Sequence, residues 1–182
     1  PAHHLTEFAM HQSQTSPGPL AGIKVLELGT LIAGPFCARM LAEFGADVIK
    51  IESPEGGDPI RQWRVLKDGN SLWWSVQSRN KKSVTLNMKD PRAQEIARQL
   101  ALDADIIIEN YRPGVMERLG YGWEKLHAKY PRLIYGAVSG FGHTGPDAAK
   151  PAYDMVVQAR GGVMSITGEE GGPPVRVGAS IG

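Results

Sequence analysis

The stretches of this sequence that could carry chemistry each lack part of a familiar site. The first is GTLIAGPF, residues 29–36, where Gly29 and Gly34 frame a short apolar loop. It holds neither the GxGxxG of a dinucleotide fold nor the GK[ST] ending of a phosphate loop. Its glycines serve either close packing at a strand–helix turn or a backbone cradle for a ligand carbonyl or thioester. The second is VSGFGH, residues 138–143, which sets Ser139 beside Gly140 without forming the G-x-S-x-G elbow of a nucleophilic serine. His127 and His143 have no partner at ligand spacing, and neither HExxH nor CxxC occurs, so both read as surface or loop histidines. His3, His4 and His11 lie in PAHHLTEFAMHQSQTSP, which reads as a solvated tail rather than a site, because metal ligands must be held in fixed geometry. Spacing alone points to an α/β ligand-binding domain without a metal site.

Alternating strands and helices must position these loops. IKVLEL (23–28) is a β-rich run after the turn signal Pro19-Leu20-Ala21-Gly22, and ADVIKI (46–51) is the next strand. Between them GPFCARMLAEFG carries Phe36, Met40, Leu41 and Phe44 at helical spacing and closes on Gly45. Residues 53–70 are rich in Gly and Pro and read as irregular; SLWWSVQ (71–77) reads as a short helix, and residues 83–86 as a strand. Asp90-Pro91 opens a helix by cap and first-turn proline, with Ala93, Ile96, Ala97, Leu100 and Ala101 on one face. Residues 105–109 form a buried strand, 113–119 and 123–129 two helical pieces, and 133–138 a further strand. No fixed-period repeat interrupts this order. Strands that are nearly continuous apolar runs call for a parallel sheet covered by helices on both faces. Such sheets bind ligands beyond the carboxyl ends of their strands, at the loops beginning near Gly29, Ser53, Asn110 and Ser139.

Composition excludes several classes. With 182 residues and a net charge of +1, nothing argues for a nucleic-acid or membrane-surface partner. Hydrophobic content of 42% and charged content of 21% suit an ordinary globular chain. No apolar run approaches the roughly 18 residues of a membrane-spanning helix. Cys37 is the sole cysteine, so an internal disulfide framework is impossible, which fits a reducing cytoplasm. Residues 1–18 are expected to form a flexible tail lacking the basic start and apolar core of a signal peptide, and 19–182 the folded domain.

Longer motifs carry a resemblance. PLAGIKVLELGTLIAGPFCARMLAEFGADVIKIE, GGDPIR, RNKKSVTLNMKDP, ADIIIENYRPGVMERLG, PRLIYGAVSGFGHTGP and PAYDMVVQARGGVMSITG stand in order from Pro19 to Gly182. Together they resemble the N-terminal half of the class III coenzyme A transferases. That superfamily includes formyl-CoA transferase, the carnitine and bile-acid CoA transferases and α-methylacyl-CoA racemase. The resemblance implies a Rossmann-like domain holding coenzyme A (CoA), an interlocked homodimer, acyl-CoA and a carboxylic acid as substrates, and no tightly bound cofactor. It further implies an aspartate nucleophile that forms an anhydride and then an aspartyl-CoA thioester. Aligned without gaps, that aspartate falls directly after Gly182. The chain is therefore expected to be a fragment, inactive alone, that lacks the nucleophile and the small domain.

Residue by residue, the resemblance places Thr30, Leu31, Ile32 and Ala33 along the pantetheine and thioester. Formyl-CoA transferase has glutamine where Ile32 stands, which argues against formate or oxalate as substrate. Ser53, Leu86 and Lys89 fall where the family holds adenine and the ribose phosphate, although formyl-CoA transferase has arginine at the Ser53 position. Asn110, Tyr111, Val115 and Arg118 match further CoA contacts, Arg118 being suited to a phosphate by its bidentate guanidinium. On sequence alone Lys89 and Arg118 read as solvated helix-surface charges, and Tyr111 as the close of a strand. Arg79-Asn80-Lys81-Lys82 reads as a solvated basic turn. Tyr153 and Asp154 are supporting catalytic candidates, with helix capping the alternative for Asp154. The racemases carry histidine at the Tyr153 position as an acid/base, and a phenol, with a pKa near 10, is a poor base at neutral pH. Transfer is thus favoured over α-proton exchange, with a racemase-like enzyme or a non-catalytic CoA-binding subunit as alternatives.

Overall fold

The computed structural model describes residues 18–180. The expected tail, apart from Gly18, and the chain end at Gly182 lie outside the described residues. Strand β1 (Lys24–Glu27) leads through helix α1 (Ala33–Glu43) to β2 (Asp47–Glu52) and a 3-10 turn at Pro59–Gln62. A small hairpin of β3 (Leu66–Lys67) and β4 (Asn70–Ser71) precedes α2 (Leu72–Gln77), β5 (Lys81–Thr85) and α3 (Pro91–Asp103). Then come β6 (Ile106–Glu109), α4 (Val115–Leu119), α5 (Trp123–Lys129), β7 (Ile134–Ala137), α6 (Asp154–Arg160) and a 3-10 turn at Val163–Ile166.

The main sheet runs β5-β2-β1-β6-β7 with every neighbouring pair parallel. Leu26 of β1 stands opposite Ile49 on one side and Ile107 on the other. The chain works outward from β1 to β5 and then returns to β6, so a topological switch point opens between β1 and β6. The period-2 alternation of β1 divides the core. Val25 packs with Ala38 and Ala42 of α1, whereas Leu26 and Leu28 pack with Ala97 and Ala101 of α3 and with Leu126 of α5. Helices therefore cover both faces, as a Rossmann-like sheet requires.

The helix starts follow from local chemistry. The Asp90 carboxylate accepts a hydrogen bond from Arg92 N at 2.9 Å, and Pro91 occupies the first turn where no N–H is needed. Ser71 caps α2 through Trp74 N. The expected buried faces need correction. In α1 Phe36 and Phe44 are exposed, while Gly34, Pro35, Ala38 and Ala42 are buried. In α3 Ile96 is exposed and Ala93, Ala97 and Ala101 face inward. Both helices lie over strands that already present branched side chains, Val25, Val48 and Ile108 beneath α1, so only alanine-sized groups fit between. The hairpin at 66–71 lies partly in a segment expected to be irregular. Residues 173–177 form no strand.

Candidate functional site

The loop after β1 sits at the switch point and is held by side chains from distant parts of the chain. Asn110, just beyond β6, clamps Thr30: its Oδ1 accepts from Thr30 N at 2.7 Å and its Nδ2 donates to Thr30 O at 2.9 Å. This clamp explains the two glycines. A Cβ on Gly29 would lie 2.7 Å from Asn110 Oδ1, and one on Gly34 would lie 3.0 Å from the same atom. The glycines thus serve close packing around the Asn110 amide, one of the two readings of GTLIAGPF.

Beneath α1 the sheet carries buried charge. Lys50 Nζ lies 2.7 Å from Glu27 Oε1 and 2.9 Å from Asp58 Oδ2, and Lys81 Nζ lies 2.7 Å from Glu27 Oε2. Burial by itself would lower the Lys50 pKa, but Glu27 and Asp58 outweigh it and raise the value; at Lys81 burial prevails and the pKa falls. Two residues further along β2, Glu52 accepts from Arg61 Nε at 2.7 Å, Arg61 Nη2 at 2.8 Å, Ser83 Oγ at 2.6 Å and Asp58 N at 2.9 Å. Burial pushes this carboxyl up, yet the donors hold it down at about 2. The Arg61 guanidinium also stacks 3.6 Å from the Trp74 ring centre.

Two clefts open at the carboxyl ends of the strands. One is lined by Thr30, Ser53, Leu86, Lys89 and Tyr111, together with Asn87 and Met88. The other, of about 510 Å³, is lined by Thr30, Leu31, Ala33, Asn110, Tyr111, Tyr153 and Asp154, with Arg112 and Lys150 among its cations. Its volume is within the usual range for small-molecule sites. Thr30 and Tyr111 line both, so the two clefts adjoin beside the switch point. Burial raises the Tyr111 pKa and keeps its phenol a neutral hydrogen-bonding group.

The chain matches the family described as CoA-transferase family III over residues 20–182. It belongs to that family. It is 49% identical over 171 residues to succinyl-CoA–D-citramalate CoA-transferase of Chloroflexus aurantiacus, covering 93% of this chain and 42% of that protein. Against acetyl-CoA:oxalate CoA-transferase of Acetobacter aceti the identity is 44%, covering 92% of this chain and 44% of the relative. A crystal structure of a CaiB/BaiF family protein from Brucella suis superposes with a TM-score of 0.84 at 39% identity, covering 91% of this chain and 45% of that one. The chain thus spans less than half the length of these relatives.

Within this family frame, the residues carried over by resemblance divide in three. Ser53, Leu86, Lys89 and Tyr111 meet in the first cleft, and Leu31, Ala33, Tyr153 and Asp154 in the second; Ile32, Val115 and Arg118 line neither. The amide of Asn110 is engaged by the Thr30 backbone rather than aimed at a ligand. The N-cap position of α6 is Tyr153, and Asp154 in the first turn accepts through Oδ2 from Gln158 Nε2 at 2.9 Å. The basic run is an exposed turn at Arg79 and Asn80, as expected, but not beyond. Lys81 and Lys82 belong to β5, where the Lys81 side chain is buried on Glu27 and the exposed Lys82 pairs with Asp47, while Arg79 pairs with Glu43. Sequence reasoning also missed Lys50, Glu52, Asp58 and Gln158, all buried. Gln158 ties the chain beyond α6 back to that helix by accepting from Val177 N at 2.9 Å. The GGDPIR motif contains Asp58 and Arg61, but nothing in its composition shows that they turn inward. Among the described residues no group of three or more His, Cys, Asp or Glu could hold a metal, and no helix is long and apolar enough to cross a membrane.

Proposed function

We propose that these residues form the CoA-binding part of a cytoplasmic CoA-transferase that moves CoA from an acyl-CoA to a carboxylic acid. The observation that carries this reading is the pair of clefts that adjoin at Thr30 and Tyr111 beside the switch point. One offers Lys89, Ser53 and Leu86 for the nucleotide, and the other offers the loop at 30–33 for pantetheine and thioester. The 3′-phosphoadenosine end needs a cation, which Lys89 supplies at the cleft and Arg118 at its helix surface.

In this scheme an aspartate directly after Gly182 attacks the thioester carbonyl of the donor. The C–S bond breaks, and CoA leaves as thiolate from a mixed anhydride. The thiolate then attacks the aspartyl carbonyl, releasing the donor carboxylate and leaving an aspartyl-CoA thioester. The acceptor carboxylate repeats both steps in reverse and restores the aspartate. Each step exchanges acyl groups between carboxylate and thiolate. CoA itself enters as a substrate. Two chains of the full-length protein form an interlocked homodimer in this reading.

Mixing full-length protein with succinyl-CoA and measuring intact mass tests the reading. A covalent CoA adduct, discharged by a carboxylic acid acceptor with formation of its CoA thioester, is the expected result. Absence of both adduct and exchange refutes it. Incorporation of deuterium at the α-carbon of an acyl-CoA in heavy water, without transfer, would instead establish the racemase alternative. The same assay on the isolated 182-residue chain is expected to show no transfer.

A further inference from the structure

We propose that Asp58 is a positioning residue for the thioester-facing loop, fixing Leu31 in the left-handed conformation that turns residues 30–33 toward the second cleft. The inference rests on the CoA reading above and adds a residue that reading does not use.

Leu31 has φ 63°, a region that leucine rarely enters because its Cβ crowds the backbone. Something must hold it there. Asp58 Oδ1 and Oδ2 lie 3.0 and 3.2 Å from Leu31 N, and Oδ1 also accepts from Ile60 N at 3.0 Å. Lys50 Nζ lies 2.9 Å from Oδ2, and Asp58 is only 2% exposed. The same ammonium donates to Gly29 O at 2.7 Å, and Asn110 engages Thr30 N and O. Peptide groups of three consecutive residues are thus held by side chains from three other segments.

Asp58 is itself held in place. Its own N–H donates to Glu52 at 2.9 Å, and Gly57 before it has φ 74°. A Cβ on Gly57 would lie 2.6 Å from Glu52 Oε2. The turn GGDP therefore delivers a carboxylate to a fixed point under the loop after β1. Without that carboxylate Leu31 relaxes toward negative φ, and the 30–31 peptide turns Thr30 and Ala33 away from the cleft wall that both line. A preformed backbone surface is what a thioester carbonyl requires, because no reorganisation is then needed at the moment of reaction.

A double-mutant cycle on full-length protein separates this role from a general structural one. CoA affinity is measured by calorimetry for wild type, Asp58→Ala, Leu31→Gly and the double variant. Asp58→Ala is expected to weaken CoA binding about ten-fold, consistent with the loss of a charge-assisted hydrogen bond. Glycine enters the left-handed region freely. In the Leu31→Gly background the same substitution is therefore expected to weaken binding about three-fold or less, a coupling typical of residues in contact. Thermal melting is expected to fall on removal of Asp58 whichever residue stands at 31. Asp58→Asn, which keeps the shape, runs the same cycle if the alanine variant does not fold. Wild-type binding with an additive cycle overturns the inference alone. Absence of CoA binding by the wild type overturns the CoA reading and this inference with it.

Discussion

Replacing Glu52 by glutamine should remove a large, pH-dependent part of the stability of the sheet. The carboxylate collects four donors and is 5% exposed, and its pKa is held at about 2 against an ordinary glutamate value of 4.5. At about 1.4 kcal/mol per unit, that difference amounts to about 3 kcal/mol in favour of the folded state at neutral pH. The sign follows from the depressed value. Above pH 4.5 the group is ionised folded and unfolded, and the full contribution is present. As pH falls from 4.5 toward 2, the unfolded chain takes up the proton first and the contribution drains away. Arg61 keeps contact with solvent at 34% side-chain exposure and retains its stack on Trp74, so the substitution does not strand a buried cation. Urea unfolding of full-length protein, with and without Glu52→Gln, should show a difference of about 3 kcal/mol at pH 7. Near pH 3.5 it should shrink to about 2 kcal/mol. A difference below about 1 kcal/mol at pH 7, or one that stays constant down to pH 3.5, would refute the assignment of four stabilising donors to one ionised carboxylate.

Other outcomes follow from the same geometry. Lys89→Ala combined with Arg118→Ala should weaken CoA binding by about ten-fold or more, each charge-assisted bond being worth about 1.5–3 kcal/mol; unchanged affinity by calorimetry removes the phosphate assignment. Gly29→Ala sets a methyl 2.7 Å from Asn110 Oδ1 and should lower the unfolding free energy by about 1–3 kcal/mol, read from urea midpoints; an unaltered midpoint means that the clamp yields freely. Light scattering on full-length protein should give a dimer, since Met155, Val156 and Ile166 expose apolar surface on and after α6. A stable monomer that still transfers CoA would rule out the interlocked assembly.

The strands of this fold are legible because parallel strands buried on both faces read as apolar runs, as IKVLEL, ADVIKI and residues 105–109 do. What escapes such reading is any element whose partners are distant. β5 begins at Lys81 rather than Ser83 because a lysine can enter a strand when its ammonium meets Glu27, which stands 54 residues earlier (81 − 27). The inward face of α1, and Ile96 on an otherwise correctly read face of α3, are misread for a related reason. Amphipathic spacing favours the largest apolar groups, Phe36 and Ile96, whereas the space above a filled sheet is taken chiefly by alanine. The site is legible by resemblance in its ligand-facing residues. Its support is not, because Asp58 reads as a turn residue until the fold brings it under Leu31.

The charges beneath α1 also shape how this sequence can change. Glu27, Asp58, Lys50 and Lys81 form two acids and two bases, joined end to end and shut away from water. Neutralising any one of them strands a charge of the opposite sign, and breaking a buried pair in that way costs about 3–5 kcal/mol, comparable with much of a domain's stability. Exchanging matched partners for apolar residues of similar volume can be nearly neutral. The accessible mutational steps therefore come in pairs, with a deep valley separating them from single substitutions. A library of point variants would record four intolerant positions here, and only pairwise replacement would reveal that the intolerance belongs to the set.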